Sequence, residues 1–408
     1  MEMNIERSFS NDVTLEKLLS FLKKNKIASS ISFPDGYIEN QPGACVSVYL
    51  TDYTDAFGNA IRGNGKGQGA QIYLSAYFEA FEHKAIHYQS PPNYLQSIEQ
   101  LLQNKYLAHH PAFEYWLINQ NVNEIIKCYK YNDFAGNEYL LPGFFSYLAC
   151  NKTISQNEQL ASKYFSSNGY GVGLNFRDAI LHSIMEIIER DALAQFVYRN
   201  YFSKNIESKS QIKIPVRRSL IEEIRKYEEF NQTRLSIFET TSDNGVPSFY
   251  ACSKINIGKP VIVRGSGASY DVSYAVERAI YECFQALYLY DEAQLNDDFA
   301  VSNFLSEFPN YLKFQKAAKI TEIPVLLFEA DDDNATSGNL PYLLPDHLLY
   351  DKIVKDVGKT NKIFYRIVEK NNLFTIVHTI IPEYDDVLPV LDGIVRMPSR
   401  RSLQTIYK

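Results

Sequence analysis

The feature that most constrains this chain occurs three times: a glycine-rich stretch runs into a helical pattern with polar side chains three residues apart. The fullest copy is NGYGVGLNFRDAILHSIMEIIERDA at 168–192, where Gly169, Gly171 and Gly173 precede Glu186 and Glu189, with Arg190 directly behind them. A second, GNGKGQGAQIYLSAYFEAFEH at 63–83, has Gly63, Gly65 and Gly67 and then Glu79 and Glu82. The third, GSGASYDVSYAVERAIYECFQAL at 265–287, has Gly265 and Gly267 and then Glu282 and Gln285. Residues at i and i+3 share a helix face, and two acids there repel by a few tenths of a kcal/mol unless a cation lies between them. Three such faces converging on one point would suit Mg2+, which takes hard oxygen ligands and shares them with substrate phosphates. The glycines read as loops that bring backbone N–H groups up to phosphate oxygens. Together these features predict a magnesium–nucleotide site.

Rival chemistries fit less well. Lys66 between Gly65 and Gly67 suggests a P-loop, but Ala60 stands where that motif has glycine and Gly67 where it has Ser or Thr. Lys66 remains a candidate phosphate contact. His83 and His87 lie at i and i+4, yet Lys84 occupies the position at which a hydrolytic zinc helix needs its glutamate. No G-x-S-x-G nucleophile elbow is present. Arg190 carries a fork suited to a carboxylate or a phosphate.

A net charge of −7 and a pI near 5.6 argue against a general nucleic-acid partner. The N-terminus lacks the apolar core of a secretory signal, and the run near Leu140–Cys150 is broken by Pro142 and Gly143, so a cytoplasmic protein without a membrane partner is expected. The five cysteines form no C-x-x-C pair and read as reduced.

With 408 residues, 45% of them hydrophobic, the chain can build a large core. Residues 1–55 read as an N-terminal helix and strand segment and 56–408 as the catalytic domain, with an inserted or mobile lobe near 203–232. Helices are expected at 13–26, 71–88, 93–107, 176–200, 218–229, 272–292, 299–319 and 345–357. Strands are expected at Cys45–Tyr53, between Asn123 and Cys150, and at 235–240, 248–254, 260–264, 324–329, 363–368 and 373–381. DDDNATSGN at 331–339 reads as an acidic loop. Helices and strands alternate without a regular βαβ period, so the fold class is α+β, mixed sheets with packed helices.

The order of motifs then points to a family. GKG followed by S-A-x-x-E-x-x-E, S-N-G-x-x-x-G with E-I-x-E-R-D, and G-S-G-A with E-x-x-Q together resemble the YcaO family of ATP-dependent peptide-modifying enzymes over roughly residues 60–290. The resemblance implies a YcaO-like fold with ATP and Mg2+ as cofactors. It implies that Glu79, Glu82, Glu186, Glu189 and Glu282 bind magnesium and ATP, and that Ser75, Arg190 and Gln285 line the nucleotide. Asp178 falls where the family has Glu, Leu174 where many members have Asn, with Asn175 as its neighbour, and His83 where Arg is frequent.

Such enzymes activate a backbone amide. A Cys, Ser or Thr side chain, or an external sulfide, adds to the carbonyl; the oxyanion takes the γ-phosphoryl group of ATP, and phosphate leaves. The product is an azoline or a thioamide. The resemblance thus implies cyclodehydration in biosynthesis of a ribosomally made modified peptide of the bacteriocin or microcin kind, with Glu186, Glu189 and Arg190 in the catalytic group. Thioamidation is the enzyme alternative, and a non-catalytic peptide-binding scaffold is the alternative from another class. The chain ends MPSRRSLQTIYK, not in the proline-rich tail of many azoline-forming members. The short N-terminal segment predicts a separate partner protein that binds the leader of the precursor peptide. A homodimer is compatible with the sequence.

Overall fold

A computed structural model describes residues 9–34, 45–147, 155–202, 213–256, 260–308, 327–331, 346–358 and 361–407. The chain opens with α1 (Asn11–Asn25), β1 (Ser29–Ser32), β2 (Cys45–Thr54), β3 (Ala60–Lys66) and α2 (Ala70–Tyr88). Alternate residues Val46, Val48 and Leu50 of β2 face one way, as the two-residue strand period requires. They join Ile61, Leu74 and Phe81, and Leu18 and Leu22 of α1, in one core.

Next come β4 (Tyr94–Ser97), α3 (Ile98–Leu102), α4 (Glu114–Ile118), β5 (Ile125–Asn132), β6 (Glu138–Pro142), α5 (Gln156–Ala161), β7 (Tyr170–Gly173) and α6 (Phe176–Val197). The chain continues through β8 (Lys213–Arg217), α7 (Arg218–Asn231), β9 (Leu235–Glu239), β10 (Ser248–Asn256), β11 (Pro260–Ala268), α8 (Val272–Leu289) and α9 (Glu292–Ser306). It ends with β12 (Leu327–Asp331), α10 (Asp346–Gly358), β13 (Phe364–Lys370), β14 (Thr375–Ile380), α11 (Leu388–Leu391) and α12 (Arg400–Tyr407).

Two antiparallel sheets, β1-β2-β3 and β11-β10-β9, flank a third in the order β4-β5-β13-β14-β7, with β6 on β5. A parallel pair, β8 with β12, makes the whole an α+β fold of mixed sheets. Among the described residues no helix is long and apolar enough to cross a membrane.

Three strand–helix units, β3–α2, β7–α6 and β11–α8, correspond to the three glycine motifs, and here the structure corrects the loop expectation. Most of these glycines lie within strands, two residues apart and so on one face. That face presses directly on the following helix. A Cβ on Gly65 would stand 1.7 Å from the Ile72 carbonyl oxygen, one on Gly171 2.4 Å from that of Ala179, and one on Gly267 2.2 Å from that of Ala275. Only backbone fits there. The turns into α6 and α8 are then capped by side chains: Asn175 Oδ1 accepts from Asp178 N–H (2.9 Å) and Asp271 Oδ1 from Tyr274 N–H (3.1 Å).

Other boundaries shift for local reasons. The helix expected over 93–107 is a strand and one helical turn, because Ser97 and Gln100 form a capping box that starts a helix only at Ile98. Of the stretch read as a lobe, 203–212 lies outside the described residues, while α7 buries Leu220, Ile224 and Tyr227 against α8 and β9–β11. Residues 309–326 and 332–345, which include most of the expected 299–319 helix and the acidic loop, also lie outside them.

Candidate active site

Each helix that follows a glycine strand carries its acids toward a shared centre, and each commits one acid to the strand of the next unit. Glu82 Oε1 on α2 accepts from Val172 N–H on β7 (3.1 Å). Glu189 Oε1 on α6 accepts from Ser266 Oγ on β11 (2.8 Å). Glu282 Oε2 on α8 takes Lys66 Nζ on β3 at 2.5 Å. These contacts run α2 to β7, α6 to β11 and α8 to β3, so they close a ring.

Arg190 sits where the ring is densest. Its Nη1 lies 3.6 Å from Glu282 Oε1 and 3.7 Å from Glu189 Oε1, and donates to Ser266 Oγ (3.1 Å). Arg278 Nη2 holds the other oxygen of Glu189 at 3.2 Å. Burial alone would lower the pKa of Arg190, but Glu282, Glu189 and Glu186 outweigh it and raise it, so the guanidinium stays charged. For Glu282, burial is overcome by Lys66 and Arg190, and its carboxyl is held below the ordinary range.

Glu79 and Glu186 are in the opposite condition. Glu79 accepts from Asn64 Nδ2 (3.4 Å) and Glu186 from Gly169 N–H (3.2 Å), and neither has an ion pair among the described residues. Burial raises Glu79 despite the pull of His83 and Lys66. Burial pushes Glu186 up to about 7, with Arg190 opposing and Glu189 adding to the rise. Two half-buried acids are thus short of positive charge beside two others, Glu189 and Glu282, that have cationic partners.

The remaining candidates lie around this centre. Ser75 and Lys66 line a cavity of about 60 Å³ together with Gln71, His182 and Arg278. Asp178, buried, lines an adjoining space that shares His182 and Arg278. Gln285 has its amide nitrogen buried with no hydrogen-bond partner among the described residues. His83 has its Nδ1 2.6 Å from the Arg62 carbonyl oxygen, and its charge is felt by Glu79.

Among the described residues no three His, Cys, Asp or Glu side chains form a ready-made metal cluster. Lys66, Arg190, Arg278 and two backbone or hydroxyl donors hold three of the five acids in place. The donor set still fits a divalent cation with a polyanion. Glu79 and Glu186 lack the positive charge that Mg2+ would bring, and Lys66, Arg190 and Arg278 place cationic nitrogen beside them for a polyanion's oxygens.

Residues the sequence reading missed also reach the centre. Arg278 was signalled by its i, i+4 relation to Glu282. His182 lies one turn before Glu186, with Nε2 3.8 Å from Glu82 Oε1. Asp386 comes from the segment between β14 and α11, anchored by Ser166 Oγ (3.2 Å), and its charge is felt by both Glu186 and Arg190. Behind Arg190, α12 docks on α6 through Arg401 Nη1 to Asp191 Oδ1 (2.6 Å) and Gln195 Nε2 to Ser402 Oγ (2.6 Å).

With this geometry in hand, comparison with known proteins is informative. Residues 64–384 match the family described as YcaO cyclodehydratase, ATP- and Mg2+-binding. Among solved structures, a heterocyclase in complex with substrate and cofactor has 16% identity and a TM-score of 0.63, over 93% of this chain and 53% of that one. This chain therefore spans about half the length of that heterocyclase. YcaO from Methanopyrus kandleri bound with AMPPCP and Mg2+ has 16% identity and a TM-score of 0.61, over 97% of both chains. The E. coli microcin synthetase McbBCD complex has 12% identity and a TM-score of 0.57, over 87% of this chain and 88% of that one. At these identities the likeness is one of fold. No curated protein matches the sequence. The family match spans most of the chain and takes in all three strand–helix units but for residues 60–63 of β3, and on that ground the chain belongs to the YcaO family, whose cofactors are ATP and Mg2+.

Proposed function

We propose that this chain is an ATP- and Mg2+-dependent cyclodehydratase that converts Cys, Ser or Thr residues of a ribosomally made peptide into azolines. The reaction closes a ring: the side-chain S or O adds to the carbonyl carbon of the preceding amide, and the amide oxygen leaves as phosphate while ATP becomes ADP. ATP supplies the phosphoryl group that makes that oxygen a leaving group, and Mg2+ neutralises the phosphates.

The observation that carries the reading is the pair of half-buried acids, Glu79 and Glu186, without an ion pair among the described residues and set among Lys66, Arg190 and Arg278. In this reading Glu79 and Glu186 hold the cation, while Glu82, Glu189 and Glu282 fix the three units around it and add ligand oxygens. Lys66 and Arg190 position the phosphates and meet the charge that develops on the transferred group. Ser75, Asp178 and Gln285 line the nucleotide. A silent scaffold has no need of such acids, since an unpaired buried carboxylate destabilises the apo fold.

We assign peptide delivery to a separate leader-binding protein, a reading supported by the likeness to the E. coli microcin synthetase McbBCD complex with pro-MccB17 bound. The test is mass spectrometry of the peptide encoded beside this chain's gene, treated with purified protein, that partner and MgATP. Loss of one water per ring with release of ADP and phosphate is expected. Replacement of oxygen by sulfur would mean thioamidation. Failure to bind MgATP at all would overturn the enzyme reading.

A further inference from the structure

A second cavity, of about 90 Å³, lies behind the Asn168–Gly169 turn, with Asn168, Ile187, Thr379, Tyr384, Asp386 and Arg396 among its walls. It adjoins the acid centre through that turn, because Gly169 N–H is the hydrogen-bond donor to Glu186 and Ile187 is the next residue along α6. Two polar atoms in its wall are buried and lack a hydrogen-bond partner among the described residues: Asn168 Oδ1 and Thr379 Oγ1. Thr379 is 1% exposed. Its backbone N–H donates to Gly169 O (2.8 Å), and Asn168 N–H donates to Ser166 Oγ (3.0 Å), so both residues are fixed while their side-chain oxygens stay unsatisfied. Leaving such groups unpaired costs about 1–3 kcal/mol each.

Their chemistry is complementary to one ligand class. The Asn168 oxygen only accepts, and the Thr379 hydroxyl can donate. A peptide unit offers one N–H and one C=O. Ile187 supplies apolar wall, and Asp386 is held at the rim by Ser166, Leu388 N–H (3.0 Å) and Arg396.

We propose that this cavity is a substrate subsite that holds one backbone amide of the peptide next to the residue being modified, its N–H on Asn168 Oδ1 and its C=O on Thr379 Oγ1. The assignment rests on the peptide-modifying reading above but makes a separate demand. The subsite lies across the Gly169 turn from Glu186, so the bound amide is presented to the acid centre without occupying the Ser75 and Asp178 side.

The probe is acetyl-Gly-Cys-Gly-amide, with its binding and that of MgATP measured independently on the wild type, Asn168→Ala, Thr379→Val and Thr379→Ser. The wild type binds the tripeptide; Asn168→Ala and Thr379→Val weaken it roughly five- to tenfold, Thr379→Ser does not, and the affinity for MgATP is unchanged in all four. If the tripeptide binds equally to all four proteins, or to none, the subsite is wrong. If the tripeptide behaves as stated but MgATP does not bind, the cyclodehydratase reading fails while the subsite stands. Should Thr379→Val fail to fold, Asn168→Ala against Thr379→Ser carries the same comparison.

Discussion

Glu186→Gln should stabilise the metal-free protein while destroying its nucleotide site. The Glu186 carboxyl rises from 4.5 to about 7 because desolvation and the nearby Glu189 outweigh Arg190, and it has no ion pair among the described residues. A folded-state pKa above the unfolded one means that the native protein holds a proton the unfolded chain has lost. Stability therefore falls as pH rises from about 4.5 to 7. The shift corresponds to a destabilisation on the order of 3 kcal/mol at pH 8. Glutamine has nearly the same shape and no charge, so the variant avoids it. With an unfolding entropy of about 0.9 kcal/mol/K for a chain of this size, Tm at pH 8 in EDTA should rise by roughly 3 °C and converge on wild type near pH 4.5. Affinity for MgATP should fall by ~100-fold or more, read by calorimetry. A Glu186→Gln protein that melts below wild type at pH 8, or binds MgATP as wild type does, would refute the claim that this acid is an uncompensated charge awaiting a cation.

Further outcomes follow from the same geometry. Gly65→Ala should unfold the protein or cost ~3 kcal/mol or more in a denaturant melt, since the new Cβ would lie 1.7 Å from a backbone oxygen that cannot retreat. Lys66→Met should weaken MgATP binding about tenfold by calorimetry, because it removes one of the two cations that this reading sets on the phosphates. Arg401→Ala should cost about 3–5 kcal/mol in the same melt, since it strips Asp191, which is fully buried, of its ion pair. His378 is buried and His110 half-buried, and both are held neutral, His110 down at about 3 by burial and Arg396, and His378 well below its usual value by burial and Arg366. With folded pKa values below the unfolded 6.5, each costs stability as pH drops under 6.5, ~2 kcal/mol by pH 5. Replacing His110 with Phe should flatten that acid slope measured by thermal melts.

How much of this was legible in the sequence depends on range. The helices α2, α6 and α8 and their paired acids were readable, because a three-residue spacing is local information. The glycines were read as loops because glycine is depleted in strands. The counter-signal was present in Ala76, Ala80, Ala179, Ala275 and Ala279, small residues on the helix faces that the glycine strands contact. Small against small is the mark of close backbone approach. The ring itself was not legible, since Glu82 reaching Val172 and Lys66 reaching Glu282 join positions that nothing in either local sequence connects. Asp386 was missed for the same reason. The pair Asn168 and Thr379 shows itself only through what it lacks.

Because each unit is latched by the following one and the third returns to the first, the site has no stable partial form. A ribosome that has delivered only the first two units has exposed Glu282's partner, Lys66, and Glu189 without Ser266 or Arg278. The acid cluster is thus completed only when α8 arrives and seats, so the nucleotide-binding centre cannot form before residues 265–289 have been made and folded.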